Sequence, residues 1–365
     1  MPPKPLTTIY KEINGTKITT DIYLPENAPH HEKYPVLITI HGGAFMLGHS
    51  SLISLPQVDD CLARGWIVVA PNHRLCPQVN IAEGPVRDCR DFLEWVYADE
   101  GLDGFLSEVS SSSTGSGVES GSGPEEGNGK SKRVWQVDKE KVMAMGTSSG
   151  GFLALALGYD TPRPPRAILN FYGAVHFTHT FWTQPLPHVQ KTLPPLDPEF
   201  IRQVYSEVPV PIQSGISLEG QTQSQSQGQT QTPPSPGPNP KSPRDLFALT
   251  QIANGTVLST CLSSSSSSST PSPLSEEEIR TIDPVYRIHP TFPPTCIIHG
   301  TADRMVPAFL SKELLSRLQE EEVRCEMVDV EGEDHTFAMG MKVGSRTWEV
   351  QRRGFEFLEE VIRGV

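Results

Sequence analysis

Gly146-Thr147-Ser148-Ser149-Gly150 directly follows the apolar run Val142-Met143-Ala144-Met145, and this pairing constrains the chain more than any other feature. A GxSxG pentapeptide at the end of a strand turns the backbone sharply into a helix. The turn lifts the central hydroxyl, here that of Ser148, out of the sheet and leaves neighbouring amides free. The residues that follow, Gly151-Phe152-Leu153-Ala154-Leu155-Ala156-Leu157, are apolar all round, as expected of a helix buried against a sheet and ending at Gly158.

Two further segments add to this elbow. His41-Gly42-Gly43-Ala44-Phe45 closes the run Val36-Leu37-Ile38-Thr39-Ile40. Late in the chain, Cys296-Ile297-Ile298-His299-Gly300-Thr301-Ala302-Asp303 precedes Glu333-Asp334-His335-Thr336-Phe337. A glycine-rich loop, a serine, an aspartate and a histidine follow one another in that order. In this the sequence resembles the α/β-hydrolase family, in particular its branch of hormone-sensitive-lipase-like proteins and small carboxylesterases. The resemblance covers roughly residues 5–100, 134–175 and 284–363. It implies a mostly parallel central sheet with helices on both faces, and a cap inserted before the strand that carries the triad acid. The expected organisation is a core of residues 1–172 and 284–365 and a cap region of residues 173–283.

A serine hydroxyl is a weak nucleophile near neutral pH, so Ser148 needs a base within hydrogen-bond reach, and His335 after the last core strand is the candidate. Asp303 at the end of a core strand would orient the imidazole, with Asp283 and Asp329 as weaker substitutes. The resemblance further implies an oxyanion loop at Gly42, Gly43 and Ala44, joined by the amide of Ser149. Ala44 stands where a third glycine is common in the family, which keeps the amide but narrows the pocket. His41 is expected to organise this loop. Asn72-His73-Arg74-Leu75-Cys76-Pro77 resembles the family's YRLxPE segment, with His73 for Tyr and Gln78 for Glu, and Arg74 is expected to pair with Asp88.

Strand-like and helix-like segments alternate along the chain, the pattern of a parallel sheet covered by helices. Strands are predicted around residues 8–10, 17–24, 36–40, 66–70, 142–145, 167–171, 295–298 and 325–330, the first two as an antiparallel pair. Val86, Cys89, Leu93 and Val96 share one helical face. So do Leu310, Leu314 and Leu318 behind Pro307, and Trp348, Phe355, Leu358 and Ile362. Residues around 107–131, 214–243 and 259–273 are rich in Ser, Gly, Gln and Pro with few apolar anchors, and read as disordered insertions. Phe177, Phe181, Trp182, Phe200, Tyr205, Leu246, Phe247 and Leu249 are the expected ordered apolar material of the cap, available for lining a pocket or for packing.

The net charge of −13 argues against nucleic acid or an anionic membrane as partner. A small neutral or apolar ester is the expected partner instead. No apolar run suits a signal peptide or a bilayer span, so the expectation is an intracellular, cytoplasmic protein. The six cysteines form no CxxC pair and read as reduced thiols, with Cys261 in a loop and open to exposure. Asn14-Gly15-Thr16 and Asn254-Gly255-Thr256 read as turn chemistry. His176 and His179 lack an acidic or cysteine set nearby, so no metal is expected and no cofactor is implied.

These readings converge on a serine hydrolase, a carboxylesterase acting on a small, largely apolar ester through an acyl-serine intermediate. An amidase, peptidase or acyl transferase could use the same triad, because pocket contacts set leaving-group preference. A non-catalytic small-molecule receptor on the same scaffold is the remaining alternative. The low-complexity inserts are similar to those of fungal family members, some of which serve specialised metabolism.

Overall fold

In the computed structural model, which describes residues 4–26, 32–112, 134–195, 197–215, 242–262 and 275–365, eight strands form one sheet. They are β1 (Leu6–Ile13), β2 (Thr16–Tyr23), β3 (Tyr34–Ile40), β4 (Ile67–Pro71), β5 (Val137–Thr147), β6 (Ile168–Phe171), β7 (Thr295–Gly300) and β8 (Cys325–Val330). Their order is β1-β2-β4-β3-β5-β6-β7-β8. The first two pair antiparallel through a tight turn at Asn14 and Gly15, both at positive φ, and β2 pairs antiparallel with β4. Every later pairing is parallel, from Val36 opposite Val142 to Gly300 opposite Val330. Each predicted strand is present.

The central parallel segments, such as residues 36–40, 67–70 and 142–145, are largely apolar because both of their faces are covered, whereas edge strand β8 keeps Glu326 and Asp329. Val36, Ile38, Val142, Ala144, Ile168 and Ile297 point to one side, where helices Arg87–Tyr97, Ser149–Ala156 and Ala308–Glu320 pack. Leu37, Met143, Met145, Leu169, Cys296 and Ile298 point to the other, under helices Leu55–Ala63 and Arg346–Arg363. Successive residues alternate sides with the strand period of two. Two expected helix boundaries move slightly. The helix after Ser148 ends at Ala156 and is capped by Leu157, with Gly158 instead making room for the Phe292 ring. Pro307 caps helix Ala308–Glu320 and is not its first residue.

Between β6 and β7 the chain forms short helices, among them Pro187–Gln190, Pro198–Arg202, Pro243–Asn254, Val257–Leu262 and Glu276–Ile282. Ile201, Val204, Phe247, Leu258 and Cys261 join the core on the side of helix Ser149–Ala156, so this segment shares its apolar packing with the sheet.

The expected insertions are corrected at their edges. Ser107 and its neighbours belong to helix Gly104–Ser112, in which Ser107, Ser110 and Ser111 each donate a hydroxyl to the carbonyl four residues back. Serine's polar demand is thereby met inside a helix. Ser214 is buried, and Ser242 starts helix Pro243–Asn254 with a capping box to Asp245. Ser259 and Cys261 lie in helix Val257–Leu262, so Cys261 is fully buried and not exposed in a loop. The remainder of the three stretches lies outside the described residues. No helix of the described residues is long and apolar enough to cross a membrane.

Candidate active site

Because β3, β5, β7 and β8 run parallel, the loops after their C-terminal ends meet at one edge of the sheet. Ser148 stands at the end of β5 with φ 53° and ψ −122°, a region an L-residue occupies only when its surroundings enforce it. A Cβ on Gly146 would lie 2.1 Å from the Gly150 oxygen, so the elbow closes only with glycine there. The turn aims Ser148 Oγ at His335 Nε2, 2.9 Å away. His335 Nδ1 lies 2.7 Å from Asp303 Oδ2. Facing a carboxylate, Nδ1 must carry the proton, which leaves Nε2 as the acceptor facing the serine.

Asp303 sits in the turn after β7, its side chain without solvent exposure. Its Oδ1 accepts the amides of Met305 at 2.9 Å and Val306 at 2.8 Å. Burial alone would raise this carboxyl. The positive imidazole field of His335 and the hydrogen bonds from His299 and His335 outweigh it and hold Asp303 well below the usual carboxylate range. The two substitute acids lie elsewhere. Asp329 is an exposed residue of β8, and Asp283 accepts the backbone amides of His176, Phe177 and Val285.

The loop after β3 passes close over the elbow. A side chain on Gly42 would lie 2.9 Å from the Thr147 carbonyl and 3.2 Å from Ser148 Cβ. Gly43, Ala44 and Phe45 then all take positive φ, and Met46 and Leu47 return their amides to the Gly43 carbonyl. Among the described residues, the amides of Gly43, Ala44 and Ser149 have no protein acceptor, so three donors remain for an oxygen at Ser148. His41 Nδ1 donates to the Gly42 carbonyl at 2.8 Å and its ring stacks on His73, 4.6 Å away. Burial and the neighbouring His73 push His41 well below its ordinary value, so it stays neutral beneath the loop. Arg74 grips Asp88 with Nε and Nη2.

An apolar cavity opens at Ser148. Phe177, Phe181 and Trp182 line it, as do Leu186, Ile252 and Leu258, while Ala44 contributes its methyl. Of the apolar residues expected in the cap, Phe247 and Leu249 pack inward, Phe200 and Leu246 are half-buried, and Tyr205 is exposed.

Several supporting residues escaped the sequence reading. Ser214 exchanges two hydrogen bonds with Gly48, clamping the far end of the loop after β3. Arg244, buried on the helix capped by Ser242, donates to the carbonyls of Met46 and Cys76 and to Gln78 and Glu207. The Ser242-x-x-Asp245 capping pattern was the available signal for that helix, although nothing local marks its arginine as an anchor. His176 and His179 have ring centroids 5.7 Å apart. Among the described residues no cluster of three or more His, Cys, Asp or Glu is placed to hold a metal.

A family profile described as BD-FAE matches residues 20–102, and the prolyl oligopeptidase family matches residues 255–364. The chain is 26% identical over 357 residues to the non-reducing polyketide synthase ascC of Acremonium egyptiacum, covering 96% of this chain and 15% of that protein. It is 29% identical over 362 residues to the non-reducing polyketide synthase Preu6 of Preussia isomera, with 96% and 14% covered. The chain thus spans about one seventh of these relatives. Among solved structures, a thermophilic esterase from Thermogutta terrifontis matches with a TM-score of 0.52 at 17% identity, over 99% of this chain and 92% of that one. A Staphylococcus aureus protein of unknown function matches at 0.60 and 16% identity, over 98% and 99%. Sheet order, strand-end loops and these likenesses agree on the α/β-hydrolase fold, and the family match supports a serine hydrolase.

Proposed function

We propose that this protein is a carboxylesterase that cleaves a small, largely apolar ester through an acyl intermediate on Ser148. The observation that carries the proposal is the unbroken line from Ser148 Oγ through His335 to Asp303, opening directly onto an apolar cavity. In this reading His335 Nε2 takes the serine proton as Ser148 Oγ attacks the ester carbonyl, and Asp303 balances the imidazolium that forms. The amides of Gly43, Ala44 and Ser149 receive the developing oxyanion. His335 then returns the proton to the departing alcohol, and a water activated in the same way releases the acid. The acyl group lies among Phe177, Phe181 and Trp182. No Lys or Arg stands among the described lining residues, which disfavours an acidic acyl group.

Two of the relatives above are named for making polyketides, so a polyketide-derived acyl ester is the substrate class we favour. The prolyl oligopeptidase match favours an amide instead, although the segment it covers carries Asp303 and His335 and not the pocket aromatics Phe177, Phe181 and Trp182. A panel of matched esters and amides separates the two readings. The decisive control is Ser148→Ala, which should abolish labelling by a fluorophosphonate and reduce ester hydrolysis by about 10⁴ to 10⁶. Wild-type turnover in a clean Ser148→Ala preparation would end the proposal.

A further inference from the structure

His335 is not the only imidazole on the Asp303 carboxylate. His299, fully buried on β7, places Nε2 3.2 Å from the same oxygen, Oδ2, and 2.8 Å from the Val306 carbonyl. On its other side, Nδ1 lies 2.7 Å from Oγ of Ser311, itself fully buried on helix Ala308–Glu320. The protonation of His299 follows by elimination. Nε2 faces two acceptors, a carbonyl and a carboxylate, so an unprotonated Nε2 would leave both repelling a buried lone pair. Nε2 therefore carries hydrogen, and the Ser311 hydroxyl suits a neutral ring by donating to Nδ1.

We propose that His299 is a positioning residue that sets the basicity of His335 by sharing Asp303 Oδ2 with it, while Ser311 holds His299 in the donating tautomer. The proposal rests on the Ser148, His335 and Asp303 assignment above. The amides of Met305 and Val306 already fix Oδ1, so the carboxylate plane does not need His299 to hold it. What His299 adds is a second donor on the oxygen that receives His335 Nδ1–H. A shared oxygen is a weaker acceptor, so the imidazolium of His335 is less stabilised than beside an unshared carboxylate. An imidazole that must return its proton to the leaving group gains from that restraint. The longer arm of the forked bond points at Asp303, so the effect is modest.

His335 faces Asp303, Ser148 and the Tyr172 ring at 4.9 Å, and its amide is bonded by Asp334, which pairs with Arg304. His299 faces Asp303, Ser311 and the Tyr172 ring at 6.4 Å.

The test is kcat/KM against pH on a p-nitrophenyl acyl ester for wild type, His299→Leu, His299→Gln and Ser311→Ala. His299→Leu removes the donor and should move the acid limb up by roughly half a unit. His299→Gln keeps an N–H at the Nε2 position and should leave the limb where it is. Ser311→Ala weakens polarisation of the ring and should shift it less, in the same direction as His299→Leu. Limbs that coincide in wild type and His299→Leu, or that move equally in the Leu and Gln variants, overturn the proposal. If His299→Leu does not fold, a Ser311→Ala limb identical to wild type overturns it. Hydrolysis that survives Ser148→Ala removes the underlying assignment instead, whereas its loss together with unmoved limbs removes only the role of His299.

Discussion

The cavity at Ser148 has two walls held by different physics. The wall that carries Ser148, Asp303 and His335 consists of loops leaving parallel strands, whose relative positions are fixed by backbone ladders running from β3 to β8. The facing wall, with Phe181, Trp182, Ile252 and Leu258, comes from short helices between β6 and β7. Helices of four to six residues such as Pro187–Gln190 and Val257–Leu262 do not stand alone. They depend on docking, and the docking is secured by a few buried polar anchors, above all Arg244 and Asp283. Reaction geometry is therefore tied to the fold, whereas pocket shape hangs on contacts that single substitutions remove.

The largest effect is expected on the strand-end wall. In Asp303→Asn an amide N–H₂ can face His335 Nδ1, which favours the tautomer with its hydrogen on Nε2 and leaves Ser148 without a base. The variant should fold and lose about 10⁴ in kcat, whereas Asp329→Asn, an exposed change on β8, should stay within about threefold of wild type. A crippled Asp329→Asn beside an active Asp303→Asn would reassign the third triad member.

On the cap wall the effect should fall on stability and binding. Arg244→Met takes a donor from the carbonyls of Met46 and Cys76 and leaves the carboxylate of Glu207 with Gln78 in place of the guanidinium. Removing one partner from such a buried network destabilises by about 3 kcal/mol. The variant should melt well below wild type and show KM raised more than kcat is lowered, while the fluorophosphonate still labels Ser148. An unchanged melting temperature would show that the cap does not hang on this arginine.

The same division decided what the sequence revealed. The central parallel strands were legible because burial on both faces gives largely apolar runs, as in residues 36–40 and 295–298, whereas β2 showed by its alternation. The expected nucleophile, base and acid emerged because each stands just after such a run, and chain order in a parallel sheet becomes spatial proximity. The cap lacks that translation. Its anchors are long-range polar contacts: Arg244 reaches residues far back in the chain, and Asp283, weighed as a substitute triad acid, instead receives two amides of the pocket-bearing loop, those of His176 and Phe177. Composition misled at Ser107 to Ser111, whose hydroxyls bond back along a helix, and at Cys261, buried near Cys76 where a loop was expected. His299 was hidden in plain sight within the strand motif, since only the fold shows it reaching Asp303.

Asp283 gives the smallest effect, and a pH-dependent one. Burial pushes its carboxyl up from 3.8 to about 6 against the pull of the three backbone amides. The folded protein thus binds this proton more tightly than the unfolded chain. Asp283 accordingly favours folding below about pH 4, and that advantage fades as pH rises towards 6 and is gone above it. Across pH 5 to 8 the change should amount to about 1 to 1.5 kcal/mol. Asp283→Asn cannot ionise, and its amide meets the Phe177 N–H with a donor, so it should be less stable than wild type at every pH. The diagnostic is the slope of that deficit: the melting-temperature gap between wild type and variant should be wider at pH 5 than at pH 8. A gap independent of pH would mean that Asp283 titrates normally, and that the loop carrying Phe177 is held by an exposed or otherwise compensated carboxylate, not by a buried anchor.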